Sequence, residues 1–590
     1  MRRFLAVILV FAVCSLLSPR TVHAQELARL VPQDAVIYVE VSDPSKIVER
    51  LLAPDILGVL ESVDQFRQFT QSDQFARLHA FVAYMETKLG ANWRDAISDL
   101  SSGGVVLAIG PGSPNYVLLV VRSKKPDMLA RAHEVLIEAA EKEAKDKGNE
   151  SPVKSKEYKG ATAWSLGKDE FHSIIGDTLV VTNKQESLKT VLDRNAGEGP
   201  SPIAESADWR EARDRALPGH IGWAFARLEV LRQAGFGKDL YQERAANAGI
   251  PIFFGGLSHV LGRAPYVAAS LVLNEQRLAL RFEAPRDGSS WPEQYRGFYA
   301  AKPGEEAAVP LRPARTIASL SFYRDIKSMW DAREKLVAAE ALPGFTELES
   351  NVGPVLFGGR EFSNEVLGEF GPRFRLIAAA QDFSQSKFTP DIKLPAAAFV
   401  CELNNPREFG PELLIAFQSV LGLANIGLGQ QGQPRFILSN ETYKGFEIQG
   451  ARFLDRAAGT SGEAGVHLRH NFSPACTIAG RYFVLGSTTQ IVRDCIDALG
   501  DCNVMPRTTG SNIIFEISLE QAAKVLAQNK EPLVSQNMVA NGNTRERAEQ
   551  EFQTLVRVLG LFGNGAITWT SEPLSMHVDL EVEFGKSARK

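Results

Sequence analysis

The second half of the chain repeats the layout of the first half. Three pairs of segments match in the same order: 116–128 with 396–408, 158–160 with 443–445, and 174–192 with 478–496. The last pair runs for nineteen residues without a gap, and the middle pair is the same tripeptide, Tyr-Lys-Gly. Ordered self-similarity of this kind is typical of chains built from repeated structural units. We therefore predict a tandem duplication.

The repeat sets the expected domain organisation. We expect a first unit at residues 25–304 and a second unit at 305–590, with the boundary in the proline- and glycine-rich stretch 285–313. A chain of 590 residues exceeds what one hydrophobic core supports, which agrees with two units. Short β-rich runs alternate with helical spacing in both copies. The sequence therefore predicts an α+β fold, with a mainly antiparallel sheet and packed helices in each unit.

Four glycines are expected to act as structural turn residues: Gly160, Gly176, Gly445 and Gly480. In the aligned pair, Gly176 and Gly480 keep their place while the next residue changes from Asp177 to Arg481. A type II′ hairpin has this requirement, because only its first central residue must take positive φ. The charged stretch 141–159 is expected to be a helix end followed by a solvated loop.

The N-terminus has the layout of a signal peptide at residues 1–24. Two arginines follow Met1, residues 4–17 are apolar, and small residues precede a cleavage point after Ala24. A membrane anchor is the alternative, but fourteen apolar residues fall short of the roughly 20 that span a bilayer. No other stretch approaches membrane-spanning length. We therefore expect an exported protein, periplasmic or extracellular, without a transmembrane segment after cleavage.

The charge of the chain argues against one class of partner. Removal of residues 1–24 would take away three arginines and no acid, which moves the formal net charge from −5 to −8. Proteins that bind nucleic acid need a basic footprint for the phosphates. Nucleic acid is therefore not an expected partner, whereas an envelope component or a small ligand stays open.

Cysteine usage predicts one possible disulfide. Beyond the leader the cysteines lie only in the second half, so disulfides do not hold the shared fold together. A helix should end at Gly500, and the reversing turn beyond it would bring Cys502 back towards Cys495. A buried free thiol is the alternative, because Cys495 aligns with Val191 in the first copy.

The motifs described above carry a resemblance to a known group. After the leader, residues 30–39 (LVPQDAVIYV) join a proline to a β-rich run, and the Tyr-Lys-Gly strand start precedes a meander in both copies. In these features the chain resembles exported proteins of unknown function with a duplicated α+β unit from planctomycete-type bacteria. The resemblance implies an exported bacterial protein, and it transfers no catalytic residue.

No local motif for catalysis, cofactor binding or metal binding is complete. His133-Glu134 begins like a zinc-protease helix, but position 137 is Ile where the second histidine belongs. His467 and His470 have helical spacing in a stretch that reads as loop and strand. The aligned copies also differ in polar residues, so a chemistry shared by both units is not expected. We predict no catalytic, cofactor-binding or metal-binding residue.

Three functions remain open from the sequence. The first is a non-catalytic exported protein that binds a ligand or forms part of the cell envelope. The second is a hydrolase acting on an envelope or extracellular polymer, with a site assembled from distant residues. The third is a carrier of apolar ligands, suggested by the series Phe66, Phe69, Phe75 and Phe81, although these side chains and Trp164 are more simply explained as core.

Cleavage after Ala24 is the first testable prediction. N-terminal sequencing of the native protein should find Gln25 as the first residue, because the charged start, apolar core and small-residue site occur in the order that signal peptidase requires. A native protein that keeps Met1 would contradict the predicted export signal.

Overall fold

The computed structural model describes residues 26–146, 150–237, 249–286, 293–298, 306–384, 389–453, 468–503 and 508–585. Packing divides the chain into two compact units. The first unit is Met1–Lys238 with Arg263–Pro285 and Ala588–Lys590, and the second is Asp239–Gly262 with Arg286–Ser587. This division lies nearer residue 285 than the predicted boundary at 304–305, which falls outside the described residues, as does the predicted leader 1–24.

The first unit is built on an antiparallel sheet. In its described part the strand order is β4-β5-β6-β7-β3-β2-β1-β8-β9-β10. The strands are β1 (Ile37–Val41), β2 (Gly104–Gly110), β3 (Tyr116–Arg122), β4 (Val153–Tyr158), β5 (Ala161–Leu166), β6 (Phe171–Ile175), β7 (Thr178–Thr182), β8 (Gly222–Ala226), β9 (Val267–Leu273) and β10 (Arg277–Pro285).

The described helices of the first unit lie in the connections between its strands. They are α1 (Ser45–Leu51), α2 (Pro54–Leu60), α3 (Asp64–Thr70), α4 (Asp73–Leu89), α5 (Trp93–Leu100), α6 (Pro126–Asp146), α7 (Gln185–Asn195), α8 (Ala207–Asp214) and α9 (Leu228–Gln233). Between β8 and β9 the chain also forms α10 (Gly249–Arg263), which belongs to the second unit except for its last residue.

The second unit repeats the same strand order. It runs β14-β15-β16-β17-β13-β12-β11-β18-β19-β20, again antiparallel throughout. The strands are β11 (Thr316–Tyr323), β12 (Phe370–Ala379), β13 (Ala396–Leu403), β14 (Phe436–Tyr443), β15 (Phe446–Phe453), β16 (Ala475–Ala479), β17 (Tyr482–Gly486), β18 (Ile513–Ser518), β19 (Phe562–Ser571) and β20 (Ser575–Phe584).

From β11 onwards, four described helices of the second unit precede the meander β14–β17 and four follow it. They are α11 (Ile326–Asp331), α12 (Arg333–Leu336), α13 (Leu342–Leu356), α14 (Pro406–Gln430), α15 (Thr489–Leu499), α16 (Leu519–Gln528), α17 (Lys530–Asn541) and α18 (Arg545–Gly560). The predicted α+β class is confirmed. The duplication itself stays a prediction, and the shared strand order is the structural observation that agrees with it.

The two sheets also share their register. Leu119 pairs with Val181 across β3 and β7, and Phe399 pairs with Leu485 across β13 and β17. These pairs are separated by the same offsets, 280 and 304 residues, as the matching sequence segments. Because strand side chains alternate between the faces of a sheet, equal register assigns equivalent residues to equivalent faces. Positions in the two units can therefore be compared one by one.

The Tyr-Lys-Gly tripeptides are hairpin turns. Lys159 and Gly160 both take positive φ, +48° and +77°, and join β4 to β5 as a two-residue loop. Lys444 and Gly445 do the same at +50° and +84°. Positive φ at both central residues defines the type I′ turn, which favours Gly at the second place. The tripeptide is thus a turn signal in both units.

The strand before the first of these turns differs from the sequence-based prediction. Residues 153–158 were expected to be loop, but they form β4, with its side chains exposed or half-buried. The strand pairs with β5 alone among the described residues. An edge strand without a buried face shows no apolar alternation, and charged side chains on it prevent pairing with other chains. The charged sequence of β4 therefore does not show the alternation by which a strand is recognised.

The second pair of turn glycines has the predicted conformation. Gly176 takes φ +59° and Gly480 takes φ +60°, while neither following residue has positive φ. The two positions differ in their surroundings. A Cβ on Gly480 would lie 2.5 Å from the carbonyl oxygen of Cys502, whereas a Cβ on Gly176 would have no atom within 4 Å.

The predicted disulfide is not formed. Cys495 and Cys502 are both free and buried. Gly500 takes positive φ as expected, but the chain beyond it lies over the β16–β17 turn, where the Arg481 amide donates to the Cys502 carbonyl at 3.1 Å. Burial raises the pKa of the Cys495 thiol to about 12, so this group is an inert part of the core.

One helix departs from the expectation that no further stretch approaches membrane-spanning length. Among the described residues, α14 alone is long and apolar enough to cross a membrane by length and composition. It packs on β13, β16 and β17 through one face, and on the other face Ile415, Leu423 and Ile426 are more than half exposed. Polar residues such as Gln418 and Asn425 interrupt its apolar sequence. The sequence therefore contains no continuous apolar run here that would indicate a membrane-spanning helix.

Substitution of the two type II′ glycines should separate backbone strain from steric conflict. Gly176→Ala should destabilise the protein by roughly 1–2 kcal/mol, the cost of a left-handed conformation with a side chain. Gly480→Ala should cost clearly more, because its methyl group would also meet the Cys502 carbonyl oxygen. Urea unfolding of both variants provides the measurement, and equal midpoints would contradict this assignment.

Candidate functional site

An apolar cavity lies on one face of the first unit's sheet. Its volume is about 150 Å³. One wall comes from β3 and β7, through Leu119, Val121, Leu179 and Val181. The facing wall comes from α4 and α6, through Phe81, Met85, Leu129, Ala132, Leu136 and Ile137. An engineered cavity of about 150 Å³ with a similar lining stays dry and binds benzene or xenon.

Strand pairing decides which residues reach this cavity. Val121 pairs with Leu179 and Leu119 with Val181, so the four side chains share one face of the sheet. The intervening side chains point to the opposite face, where they form the main core of the unit with α7 and α8. The sheet therefore has a filled core on one side and the cavity on the other.

Helical spacing supplies the facing wall. α6 begins at Pro126, a residue suited to the first turn of a helix because it has no N–H to leave unpaired. Leu129, Ala132 and Leu136 then follow at steps of three and four, which puts them on one stripe towards the sheet. A stripe of this kind is typical of core packing, so the spacing alone does not reveal a cavity.

Three polar residues form one end of the lining. Glu170 and His172 are two residues apart in an extended segment and lie on the same face, and His133 reaches the same end from α6. His133 Nε2 lies 2.9 Å from His172 Nε2. Trp164, the cross-strand partner of His172, has its ring nearly parallel to that imidazole, with centroids 6.5 Å apart. We call His133, Glu170 and His172 the polar end of the cavity.

The histidine pair requires a specific protonation pattern. One Nε2 must donate and the other must accept, so one imidazole carries its proton on Nε2 and the other does not. Burial and the neighbouring His133 lower the pKa of His172 to about 4, and burial also lowers the pKa of His133. Both rings are therefore neutral at pH 7. His172 Nδ1 is buried and has no hydrogen-bond partner among the described residues.

Glu170 is the acidic member of the polar end. It is buried, and burial raises the pKa of its carboxyl group to about 7. No described residue hydrogen-bonds to its side chain or forms an ion pair with it. Burial disfavours the charged form of a carboxyl group, which is why Glu170 holds its proton to neutral pH. The polar end thus combines a buried acid with a buried histidine nitrogen, His172 Nδ1, that has no hydrogen-bond partner among the described residues.

The second unit fills the equivalent space with aromatic side chains. The helices α6 and α14 start at matched prolines, Pro126 and Pro406, so their residues correspond at the same offset as the strands. The cavity residues and their counterparts are Leu119 and Phe399, Leu129 and Phe409, Ile137 and Phe417, and Leu179 and Phe483. All four phenylalanines belong to one hydrophobic cluster. The polar end is replaced as well, since Leu413 stands for His133 and Cys476 for His172.

A different cavity occurs in the second unit. It has a volume of about 250 Å³ and lies beside α11 and α12, with Phe322, Trp330 and Phe399 in its lining. Its charged members already have protein partners: Arg333 donates to the Trp330 carbonyl, and buried Arg324 donates to the Tyr323 carbonyl. The first-unit cavity is the better candidate site, because its polar groups lack such partners.

A second polar arrangement is shared by both units. The Tyr158 hydroxyl donates to Asp193 at 2.7 Å, and Lys159 lies 3.2 Å from the same carboxylate. This corrects the expectation that neither unit keeps the polar groups of the other, because the second unit has the same arrangement. Its members are Tyr443, Lys444 and Asp497, with distances of 3.0 and 2.7 Å to the carboxylate.

This repeated arrangement is a structural tether. The hydrogen bond to Asp193 raises the pKa of Tyr158, and that to Asp497 raises the pKa of Tyr443. A tyrosine or lysine used as a base or nucleophile needs a lowered pKa. The contacts instead hold each Tyr-Lys-Gly hairpin against the helix that follows the meander.

A buried ion pair in the first unit also has only protein partners. Glu40 accepts from the Tyr38 hydroxyl at 2.7 Å and lies 2.5 Å from Arg213. The Arg213 guanidinium in turn lies over the ring of Trp223, 4.9 Å from its centroid. Every charge is compensated inside the core, so we assign this cluster a structural role.

The other residues singled out from the sequence have mixed outcomes. Trp164, expected to be core, lies beside the polar end. Of the phenylalanine series, Phe81 lines the cavity, whereas Phe69 is exposed and contacts Phe75. His467 lies outside the described residues, so the expectation that it forms no metal site with His470 stays a prediction. No cluster of three or more potential metal ligands occurs among the described residues.

Glu170 was missed because its position suggested an exposed turn. It follows the turn-forming residues Gly167 to Asp169 and precedes a strand, where a charged side chain is ordinary. One sequence signal could have drawn attention to the cavity. Where the copies align, Leu119 and Leu179 of the first correspond to Phe399 and Phe483 of the second. The first copy therefore has smaller side chains at two positions on the same face of its sheet.

Comparison with known proteins assigns neither a family nor a function to the chain. No family model matches the chain, and no curated protein matches it. Among solved structures, the chain is similar to crystal form IV of a protein named TP0453, with 8% identity, a TM-score of 0.24, and coverage of 44% of this chain and 83% of that chain. Crystal form I of the same protein gives 9% identity, a TM-score of 0.24, and coverage of 45% and 80%. Likeness at this level carries no argument about function.

The raised pKa of Glu170 predicts a pH-dependent stability. The folded carboxyl binds its proton more tightly than the unfolded one, so its contribution is complete below about pH 4.5 and is lost as the pH rises through about 7. Glu170→Gln cannot ionise. Its melting temperature relative to wild type should therefore rise between pH 5 and pH 8, by about 2 °C or more.

Asp169→Asn is the matched control for this measurement. Asp169 is the adjacent acid and is exposed, so its replacement should leave the pH dependence of melting unchanged. Calorimetry of the three proteins at both pH values provides the data. Parallel curves for wild type and Glu170→Gln would show that the pKa of Glu170 is not raised by burial.

Proposed function

We propose that the protein is a non-catalytic exported binding protein whose first unit holds a compact apolar ligand. The observation that carries the proposal is the contrast between equivalent positions: aliphatic side chains around a cavity in the first unit, and packed phenylalanines in the second. Protein interiors are close-packed, and a void of this size forfeits dispersion contacts of its lining. The second unit shows that the shared framework can hold phenylalanines at these positions, so the backbone does not force the first-unit space to stay open. A ligand that occupies this space would explain why it is not filled by side chains.

The size of the cavity sets the expected affinity. An empty apolar cavity costs about 24 cal/mol for each Å³, so about 150 Å³ corresponds to about 3–4 kcal/mol. A ligand that regained this free energy and nothing else would bind with a dissociation constant of about 1 mM. Tighter binding requires further contacts at the polar end.

The chemistry of the polar end supports binding over catalysis. It offers one carboxyl group and two neutral imidazoles, without a nucleophile held by a base or a second carboxylate for glycoside hydrolysis. The apolar walls give no hydrogen-bond partners to the hydroxyl groups of a glycan. A hydrolase acting on an envelope polymer is therefore the weaker candidate. Turnover of such a polymer that is lost in Glu170→Gln would favour it over the present proposal.

Toluene is a suitable probe of the cavity. It should bind saturably to the wild-type protein with a dissociation constant of about 1 mM, and at five times that concentration it should stabilise the first unit by about 1 kcal/mol. Isothermal titration calorimetry and thermal melting measure these effects. The variants Ile137→Phe and Leu179→Phe introduce the second unit's residues at two wall positions and should abolish toluene binding.

Leu51→Phe is the control for the filling variants. Leu51 lies in the first unit and is about half exposed, so the same added volume there should leave toluene binding unchanged. Circular dichroism establishes that each variant remains folded. Absence of saturable toluene binding in the wild type, or unchanged binding in folded Ile137→Phe and Leu179→Phe, would overturn the proposal.

A further inference from the structure

We propose that the edge of the second unit's sheet binds a second copy of the chain, with the two β14 strands paired antiparallel about a two-fold axis at Asn440. Among the described residues β14 pairs with β15 alone. A strand at the edge of a sheet presents a row of backbone N–H and C=O groups that can pair with another chain. This surface lies in the second unit and is independent of the first-unit cavity.

The hairpin turn determines which backbone groups of β14 are unpaired. Tyr443 and Phe446 flank the two-residue loop and pair with each other, and such a turn is closed by a hydrogen bond between its first and last residues. Hydrogen-bonded and non-hydrogen-bonded pairs then alternate along the strand. Leu438, Asn440 and Thr442 therefore direct their N–H and C=O groups away from β15, where no described residue bonds to them.

The start of the strand supports this assignment. Phe436 belongs to the same alternate set, and both of its backbone groups bond to the side chain of Asn425 on α14. Asn425 donates to the Phe436 carbonyl at 3.0 Å and accepts from the Phe436 amide at 2.7 Å. The Asn425 side chain thus takes the place of a neighbouring strand at this end, and the edge remains open from Leu438 to Thr442.

The open part of the edge is complementary to itself. A two-fold axis at Asn440 puts this residue opposite its own copy, and it puts Leu438 opposite Thr442 of the second copy. In an antiparallel ladder each hydrogen-bonded pair exchanges two backbone hydrogen bonds. One symmetric arrangement therefore pairs every outward backbone group from Leu438 to Thr442, as a closed two-fold interface requires.

The charges of the two edge strands differ in a way that favours β14 over β4. By the same turn argument, Ser155 is an outward residue at the centre of β4. An axis there would put Lys154 opposite Lys156 of the second copy, and like charges directly opposite each other destabilise strand pairing. The corresponding residues of β14 are Ser439 and Glu441, which have no like charge opposite them.

An exposed apolar surface lies beside the open edge. The side chain of Gln449, the cross-strand partner of Asn440, is hydrogen-bonded to α14. Leu438 and Asn440 therefore point to the face of the sheet that α14 covers. Leu438 is more than half exposed, as are Leu423 and Ile426 in the C-terminal half of α14. Exposed apolar groups that lie together mark interaction sites.

A lipid surface fits this region less well than a second copy. The outward N–H and C=O groups of β14 would enter hydrocarbon without partners, which is costly. Helices that lie on membranes also carry Lys and Arg on their polar face, whereas α14 has no charged residue from Leu413 to Gln430. Pairing with a second copy satisfies the backbone groups that a lipid would leave unpaired.

Sedimentation equilibrium of three proteins tests the proposal. Wild type should reach twice the mass of one chain. Asn440→Pro removes an outward N–H that β15 does not use, so the variant should fold, and its dimer dissociation constant should rise about tenfold or more. Ser155→Pro makes the same change at the equivalent edge position of β4 and should leave the dimer unchanged. Circular dichroism establishes that both variants are folded.

Cross-linking provides a second test that does not depend on the proline variant. Hydrogen-bonded antiparallel pairs have Cα atoms about 5.5 Å apart, within the range of a disulfide. Asn440→Cys should therefore give a covalent dimer under mild oxidation. Ser155→Cys should not, and the described native cysteines are buried.

The outcomes decide the proposal. A monomeric wild type, or a dimer that folded Asn440→Pro does not weaken, would overturn it. Cross-linking of Ser155→Cys as efficient as that of Asn440→Cys would overturn the assignment to β14. Monomers that float with phosphatidylcholine vesicles would assign the surface to lipid instead. A dimer lost in Asn440→Pro, kept in Ser155→Pro and trapped in Asn440→Cys would support it.

Discussion

The pairing of β3 with β7 is the interaction on which the rest of the first unit depends. It fixes the register in which Leu119 faces Val181, and so assigns each residue of these strands to one of two faces. On one face the side chains close the main core, and on the other they form the wall of the cavity. A slip of one residue would exchange the two sets, because side chains alternate with a period of two. The same pairing recurs between β13 and β17, which is why the two units can be compared residue by residue.

This shared framework has two different fillings. In the second unit Phe409 lies between Phe357 and Phe370, with ring centroids 5.8 and 5.5 Å away, and the space is occupied. In the first unit Leu129 stands at the equivalent place and the space is open. Backbone topology therefore does not determine whether a cavity exists. Side-chain volume at a few wall positions does.

Much of the framework could be predicted from the sequence. The matching segments indicated two similar α+β units, and Gly176 and Gly480 were recognised as turn residues because only one central position of a type II′ turn requires positive φ. The charged strand β4 escaped detection, since an edge strand has no buried face to impose alternation. The bond between Cys495 and Cys502 was expected from a reversing turn, but the chain after Gly500 continues over the Gly480 hairpin instead.

The candidate site could not be predicted from sequence patterns, for a different physical reason. Its walls come from α4, β3, α6 and β7, and each contributes apolar residues that are indistinguishable in sequence from ordinary core. Glu170 becomes unusual only when the fold buries it, and His172 Nδ1 only when its surroundings provide no partner. Whether a space is empty, and whether a buried polar atom has a partner, depends on the packed structure. The sequence alone shows only that leucines in the first copy align with phenylalanines in the second.

Xenon binding tests the central claim most directly, because xenon enters dry apolar cavities without needing a specific contact. Crystals of the protein pressurised with xenon should show a bound atom between Leu119, Leu129 and Leu179, and none between Phe409 and Phe483. The separate second-unit cavity beside α11 and α12, which Phe399 lines, is also apolar and is expected to take xenon independently. A first unit without xenon at that position, or equal occupancy at both, would contradict the account that one framework is open in the first unit and filled in the second.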